Sequence, residues 1–361
     1  MSYTTLKNTV LTGAVSLLAF NASSANAAGY YDYGSSYDYC DPCPQVACPC
    51  PCDSNFYVGA EALIWKVNNK DQNFGAVSAT VENDVTVTTI GLQSADHNWN
   101  LGFRIFGGYK VDDCCDWELY LAYTNLNSRA SSSFLSELDI GDIEELSAEV
   151  NFRNRLKYQT FDALVAKEFA VNQCGYIRPF FGFRGLWLDQ NPEVSVQLTD
   201  DENDLLVVAN SLDSCVNAYG LHGGTEYYWT ICDGFGVYGT IGASVLHADI
   251  NNVHTLAVLA DDDGDVIVDT LVTVNDNQCA PLFGYLLGAG VRYETDYCAC
   301  GTNMLVRLDL GYEFNHWLCT PQLLDGGSLE EAFDVEVLGV ERSNGGSLLL
   351  QGVRIGLGLY F

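Results

Sequence analysis

The chain has 361 residues and a formal net charge of −31 at pH 7, from 47 acidic and 16 basic side chains. This negative charge makes nucleic acid and anionic membrane surfaces poor partners. Even so, 48% of the residues are hydrophobic, only 17% are charged, and glycine (34 residues) and tyrosine (21 residues) are abundant. Glycine and aromatic residues in short alternating segments are typical of a transmembrane β-barrel, and the length favours a single barrel.

Residues 1–27 predict a secretory signal peptide. Lys7 supplies a positive charge, Val10–Phe20 is an apolar run, and Ala25-Asn26-Ala27 has the small-x-small pattern of a cleavage site. A membrane anchor is the alternative, but the apolar run is far shorter than the roughly 20 residues that span a bilayer. We therefore expect export, with cleavage near Ala27.

Residues 28–54 predict an extended segment on the periplasmic side that precedes the barrel. The segment begins with several tyrosines and continues as CDPCPQVACPCPC, in which four prolines are interleaved with five cysteines. Proline at this density prevents both helix formation and strand pairing. The five cysteines are Cys40, Cys43, Cys48, Cys50 and Cys52.

Residues 55–361 predict the barrel itself, an all-β transmembrane antiparallel up-and-down barrel. Ten segments alternate apolar and polar residues over about ten positions, the length that a tilted membrane strand requires. They begin near residues 56, 98, 116, 156, 175, 216, 234, 282, 304 and 348. Alternation alone does not separate a lipid-facing barrel from a soluble sheet. We expect ten strands, or twelve to eighteen if the connections contain further strand pairs.

The connections between these segments alternate between short and long. This is the asymmetry of outer-membrane barrels, which have short periplasmic turns and long external loops. The short turns are 111–115, 172–175, 232–234 and 296–303, and the long connections are 69–97, 127–151, 189–215, 249–279 and 317–347. The long connections hold 30 of the 47 acidic residues, which predicts acidic external loops. Runs such as Val266–Val274 suggest hairpins that rise beyond the membrane.

The final segment predicts a strand that closes the barrel. Leu349, Val353, Ile355 and Leu357 fall on one face, and the aromatic residue Phe361 ends the strand on the same face. The alternation of connections places this end in the periplasm. Because a closed barrel leaves no free edge, we expect this strand to pair with the first one. We further expect Phe361 to act as a C-terminal signal for the barrel assembly machinery.

Cysteine is concentrated on the predicted periplasmic side. Besides the five residues above, every short turn carries cysteine, namely Cys114, Cys115, Cys174, Cys232, Cys298 and Cys300. Fourteen cysteines in an exported protein indicate an oxidising compartment and disulfides. We expect bridges that include other copies of the chain or other cysteine-rich envelope proteins. A zinc site is the alternative, but C-x-C spacing with prolines fits zinc poorly, so no metal or cofactor is expected.

The predicted inward face carries charges of both signs. The candidate pore-lining residues are Arg104, Arg178, Arg184, Arg292, Arg307, Arg354, Glu61, Glu118, Asp162, Glu226, Glu294, Asp309 and Glu313. Such a mixture lines an aqueous pore or forms a salt-bridged plug, and the strand count decides between the two. His222 lies on the same face near Glu226, but no G-x-S-x-G motif accompanies it. We therefore expect no enzyme.

The first strand, Asn55–Val67 (NFYVGAEALIWKV), resembles the opening strand of the major-outer-membrane-protein-like family found in Legionella and chlamydia-related bacteria. The Cys-Pro segment, the cysteines in short turns and the terminal Phe361 are similar in kind. The resemblance implies a pore-forming, disulfide-cross-linked porin in the outer membrane of a Gram-negative bacterium, surrounded by outer-membrane lipid. Passive diffusion of small solutes is the expected function. The alternative is a closed-lumen surface structural protein or adhesin that acts through its acidic loops.

Overall fold

The computed structural model describes most of the predicted barrel. The described residues are 55–68, 73–74, 93–94, 97–111, 117–140, 143–172, 174–199, 205–232, 234–262, 265–299, 302–320 and 346–361. The expected signal peptide (1–27) and the cysteine-rich segment (28–54) lie outside these residues, so both stay predictions. Within the described part of the chain, no helix is long and apolar enough to cross a membrane.

Ten long strands make up the barrel, as the alternation predicts. In chain order they are β1 (Phe56–Asn68), β2 (Trp99–Lys110), β3 (Trp117–Ile140), β4 (Ile143–Lys167), β5 (Gly175–Thr199), β6 (Leu205–Cys232), β7 (Phe235–Asp262), β8 (Asp265–Ala299), β9 (Thr302–Thr320) and β10 (Gly346–Tyr360). After Glu168, strand β4 continues as Phe169–Asn172, which also pairs with β5. A two-residue pairing joins Asn73–Phe74 to Gln93–Ser94.

Each long strand pairs antiparallel with its neighbours in sequence, and β1 pairs with β10. The β1–β10 register runs from Tyr57 opposite Tyr360 to Asn68 opposite Leu349. At the end of this seam, the amide of Phe361 donates to the carbonyl oxygen of Phe56 at 2.8 Å, and the amide of Phe56 donates to that of Phe361 at 3.3 Å. The sheet is therefore a closed antiparallel barrel, which confirms the predicted fold class.

Alternation along each strand separates an apolar outer surface from a packed interior. Among outward residues, Leu101 is 74% exposed, Ile231 is 64% and Phe181 is 60%. The inward side chains of Leu63 and Arg292 are 0% exposed. In water, a continuous apolar outer surface would be costly, whereas in a bilayer it faces acyl chains. The outer surface of the barrel is therefore its membrane-facing band.

The short turn between β6 and β7 depends on a glycine. Cys232 pairs with Phe235 across a two-residue connection, and Gly234 has a φ of 79°. A Cβ atom at Gly234 would lie 2.1 Å from the carbonyl oxygen of Glu294. Turns of this length require positive φ, which glycine adopts without steric cost.

The expectation of long loops at 127–151, 189–215 and 249–279 is wrong for most of these residues. They continue β3 to β8 as paired strands, because alternating β-branched and apolar residues allow the ladders to extend past the membrane. The hairpin expected from Val266–Val274 is confirmed, since this run pairs with residues 254–261 of β7. No additional membrane strands occur among the described residues. Most of the connections 69–97 and 317–347 lie outside them.

Candidate functional site

The lumen collects the charged residues that the alternation predicts. All thirteen candidate pore-lining side chains lie on the inward face, and twelve of them form ion pairs. Glu294 is the exception, with no ion pair to a described residue. Most of the lumen charges are therefore neutralised by a partner and do not line an open surface as isolated groups. They are arranged in three groups of opposite charges.

The first group crosses the seam where the barrel closes. On β2, the guanidinium of Arg104 donates to Glu61 of β1 at 2.8 Å and to both carboxylate oxygens of Glu313 on β9 at 2.8 and 3.1 Å. Arg354 of β10 lies 3.6 Å from each of the same two carboxylates. Four consecutive strands of the ring are thus linked through two arginines and two glutamates.

The second group centres on Arg292, which is fully buried. Its guanidinium donates to Asp309 at 2.7 Å and to Glu226 at 3.1 Å. Its carbon centre lies 5.0 Å from the ring of Tyr228 and 5.1 Å from that of Tyr238. Cation–π contacts of this length add to the ion pairs. Arg292 is therefore held by two carboxylates and two aromatic rings, although its Nη2 atom has no hydrogen-bond partner among the described residues.

The third group consists of two simpler pairs. Arg178 donates to both oxygens of Glu118 at 2.6 and 2.8 Å, and the hydroxyl of Tyr57 donates to the same carboxylate. Arg184 donates to both oxygens of Asp162 at 2.5 and 2.9 Å. Such two-point contacts between a guanidinium and a carboxylate are the strongest type of side-chain hydrogen bonding.

On the external side of these charges, the lumen is filled by apolar side chains that the sequence interpretation missed. We call this group the apolar layer. It comprises Leu63, Trp65, Val67, Leu126, Leu156, Tyr158, Leu186, Leu188, Val216, Ala218, Leu246, Ala248, Ile250, Leu282, Trp317, Leu348 and Leu350. Nine of the ten strands contribute to it. Because these residues are at most 4% exposed and contact one another, water does not reach this level of the lumen.

The sequence contains a weak signal for the apolar layer. On β1, the outward residues Ile64 and Ala62 and the inward residues Leu63 and Trp65 are all apolar. Where both faces of a strand are apolar, a two-residue period disappears, and only the loss of alternation marks a packed interior. The alternation of apolar and polar residues is likewise lost on β10 at Leu348–Leu350.

His222 lies on the inward face, as expected, and is buried. Its Nδ1 lies 2.9 Å from the Oγ of Ser244 and 3.0 Å from the carbonyl oxygen of Ala243, and it makes no described hydrogen bond to Glu226. His222 is 1% exposed and Ser244 is 3% exposed. A buried serine does not meet a substrate, so this contact gives no support for hydrolysis. The absence of enzyme activity stays a prediction.

The structure describes only part of the cysteine set. Cys174 lies in the turn before β5, and Cys232 ends β6 as an exposed free thiol. For Cys298 only the backbone is described, within β8. The remaining candidates lie outside the described residues, namely Cys40, Cys43, Cys48, Cys50, Cys52, Cys114, Cys115 and Cys300. The disulfide hypothesis therefore stays a prediction.

Two further cysteines lie on the outer face near the external end of the barrel. Cys279 donates to Asp249 at 3.1 Å, which raises the pKa of the thiol. Burial and a hydrogen bond to Asp189 raise the pKa of Cys215. His247 lies 3.9 Å from Asp249. The three exposed side chains of His247, Asp249 and Cys279 are thus close enough to one another to hold a metal ion.

Phe361 is 43% exposed on the lipid-facing side, and its backbone pairs with Phe56. This position agrees with a closing strand. Recognition by the assembly machinery stays a prediction.

Several solved outer-membrane barrels are similar to this chain in fold. The outer membrane protease OmpT from Escherichia coli is 10% identical with a TM-score of 0.38, over 85% of this chain and 96% of that one. A Pseudomonas aeruginosa FadL homologue is 7% identical with a TM-score of 0.24, over 86% of this chain and 90% of that one. Likenesses this distant say nothing about activity or transport.

A comparison with curated protein sequences found no match. The family described as the Legionella pneumophila major outer membrane protein precursor matches residues 47–359. The match covers the described barrel except for its last two residues and agrees with the resemblance of the first strand. The chain belongs to the Legionella major outer membrane protein family.

Proposed function

We propose that this outer-membrane protein is porin-like, with a lumen that is closed at rest. The packed apolar layer carries the proposal, because it leaves no aqueous path at its level. Passive diffusion of small solutes then requires the layer to open. Ten strands are close to the number at which side chains fill a barrel, whereas sixteen or more leave a channel. The paired charges below the layer would give a narrow open path only weak ion preference.

Conductance in planar bilayers tests this proposal. Trp65 and Trp317 are the largest side chains of the apolar layer, at 0% and 2% exposed. We expect the refolded wild type to be closed for most of the time, with small brief openings. Trp65→Ala/Trp317→Ala removes two indoles from the layer and should raise both open time and conductance. Phe181→Ala changes a lipid-facing aromatic residue instead and should leave conductance unchanged.

Other outcomes contradict the proposal in distinct ways. Steady, large conductance of the wild type would show that the lumen is open at rest. Absence of conductance in both the wild type and the double variant would exclude passive diffusion through the lumen. The second candidate function would then hold, a closed-lumen surface structural protein or adhesin. The same packing of the apolar layer favours this candidate.

We further propose that disulfides on the periplasmic side link this barrel to copies of itself or to other cysteine-rich envelope proteins. The exposed free thiol of Cys232 supports this, since a protein partner can reach it. The five cysteines of 28–54 supply a proline-spaced arm on the same side. Export with cleavage near Ala27 places all of these thiols in an oxidising compartment.

Non-reducing gels of isolated envelopes test the cross-linking. We expect high-molecular-weight bands that collapse to monomer with thiol, and that are lost when Cys40, Cys43, Cys48, Cys50 and Cys52 are all changed to serine. Cys279→Ser is the matched control, because Cys279 is exposed at the opposite end of the barrel. If the wild-type protein from envelopes migrates as a monomer without a thiol reductant, the proposal is contradicted.

A further inference from the structure

Four exposed basic side chains cluster on the outer surface of β3 and β4. They are Arg129 on β3 and Arg153, Arg155 and Lys157 on β4. The whole chain has only 16 basic residues against 47 acidic ones. Two neighbouring strands thus carry a quarter of the basic residues on their outer surface. The closed lumen does not explain this concentration.

The register places two of these arginines directly opposite each other, Arg129 beside Arg155. Like charges in this position destabilise a strand pair. Among the described residues, neither guanidinium forms an ion pair. Lys157 has a loose contact with Asp189 at 3.7 Å, and both side chains are about half exposed. The two arginines therefore place two positive charges side by side without an ion pair to a described residue, an arrangement that an anion would stabilise.

The same arginines line a depression of about 670 Å³. Its other polar lining includes Asn127, Asn191 and two carboxylates, Asp189 near Lys157 and Asp213, to which the amide of Asn191 donates. The volume is in the range of small-molecule sites. Guanidinium groups bind phosphate, and carboxamide and carboxylate oxygens accept hydrogen bonds from hydroxyl groups. The lining suits a ligand that carries both phosphate and sugar hydroxyls.

The depression lies just beyond the membrane-facing band. Among the described side chains of β4, Phe161 is the last exposed large apolar one in this direction. Lys157 lies four positions from Phe161 toward the external end. This separation is about 13 Å along the strand, or ~10 Å along the membrane normal after the usual tilt of barrel strands. Long basic side chains reach back toward the interface. The basic groups therefore lie at the level of lipid headgroups in the outer leaflet.

We propose that this depression binds the phosphorylated sugar headgroup of an anionic glycolipid of the outer leaflet. Arg129 and Arg155 hold the phosphate, and Asn127, Asn191 and Asp213 contact the sugar. The proposal rests on the outer-membrane location of the family, and it is independent of whether the lumen opens.

Native mass spectrometry of the full chain in a nonionic detergent tests the site. The probes are a bisphosphorylated glucosamine-disaccharide lipid, the same lipid without its phosphates, and inorganic phosphate. We expect the bisphosphorylated lipid to bind at least about tenfold more tightly than the dephosphorylated one, since charged hydrogen bonds are lost with the phosphates. Arg129→Gln/Arg155→Gln should lose about the same factor. Binding should weaken as salt is raised.

Lys110→Gln is the matched control. Lys110 is a partly exposed basic residue at the other end of the barrel, 3.5 Å from Glu168, and its change should leave lipid binding as in the wild type. Heat-dependent mobility on gels verifies that each variant is folded. Equal binding of the two lipids, or wild-type affinity in the double arginine variant, would overturn the proposal. Inorganic phosphate that competes as well as the lipid would also overturn it, because the site would then be one for free phosphate.

Discussion

Arg184 and Asp162 form a self-contained ion pair within the lumen. They are direct cross-strand partners on β5 and β4, and each side chain is 8% exposed. Among the described residues, Asp162 hydrogen bonds to Arg184 alone, and Arg184 also donates to Ser244 at 3.3 Å. Removing one partner of such a buried pair leaves an unpaired charge, whereas replacing both with apolar residues is often neutral. Comparing single and double substitutions of this pair therefore distinguishes the effect of charge from that of packing.

Arg184→Leu should therefore destabilise the barrel by about 3 kcal/mol, because the carboxylate of Asp162 stays buried without its partner. Arg184→Leu/Asp162→Leu should recover most of this loss. Urea unfolding in lipid vesicles, followed by tryptophan fluorescence, measures both changes. If the double variant is as unstable as the single one, the pair acts through its shape and not through its charge.

The identities of the lumen charges were predictable from the sequence, but their partners were not. An arginine within an alternating strand, such as Arg104, stands out because most of its neighbours on that face, such as Asn100 and Gly102, are small or polar. Its contact with Glu313 spans 209 positions and exists only because β9, β10, β1 and β2 are consecutive in the closed ring. Alternation gives the face of a residue, whereas the register across the closure gives its partner.

At the scale of elements, the β1–β10 seam depends on close approach of two backbones. A Cβ atom at Gly352 would lie 2.0 Å from the carbonyl oxygen of Ile64 and 2.8 Å from the Cα of Trp65. Backbone atoms do not move aside as flexible side chains do. The glycine therefore allows the two strands to meet where the ring closes.

Gly352→Ala should destabilise the barrel by more than about 1 kcal/mol and lower the folded fraction, because the seam must shift to admit the methyl group. Gly239→Ala is the matched control. A Cβ atom there would lie no closer than 3.8 Å to the nearest atom, the carbonyl oxygen of Gly288. The folded fraction after refolding into vesicles, read from heat-dependent gel mobility, compares the two. Equal folding of both variants would show that the seam tolerates the side chain.

The elements themselves were predictable near the membrane and less so beyond it. The number of strands, the closing role of β10 and seven of the ten strand starts follow from alternation and from turn residues such as Gly234. Strands β4, β6 and β8 begin 13, 11 and 17 residues before their predicted starts at 156, 216 and 282. The lengths of β3 to β8 did not follow, because aspartate-rich composition at 200–204 and 261–265 indicates turns while hiding the paired strands on either side. Composition marks the tip of a hairpin but not where its ladder ends.

At the scale of the whole molecule, charge and apolar surface are separated in space. The membrane-facing band is apolar, twelve of the thirteen candidate lumen charges form ion pairs, and 30 of the 47 acidic residues fall in the long connections, which the sequence assigns to the external end. The sequence predicted this separation because charge follows the short–long alternation of connections. It did not predict the closed lumen, since packing across a barrel interior involves residues far apart in the chain.

This charge distribution predicts cation preference for any ion flow through the barrel. A negative potential at the outer mouth concentrates cations and excludes anions. In the Trp65→Ala/Trp317→Ala variant, the reversal potential under a KCl gradient should therefore give a potassium-to-chloride permeability ratio above unity. The ratio should approach unity near 1 M salt, where screening acts over about 3 Å. Changing Asp200, Asp201 and Glu202 to their amides should lower it at low salt. A preference for chloride, or a ratio that salt does not change, would show that the acidic segments do not control the entrance.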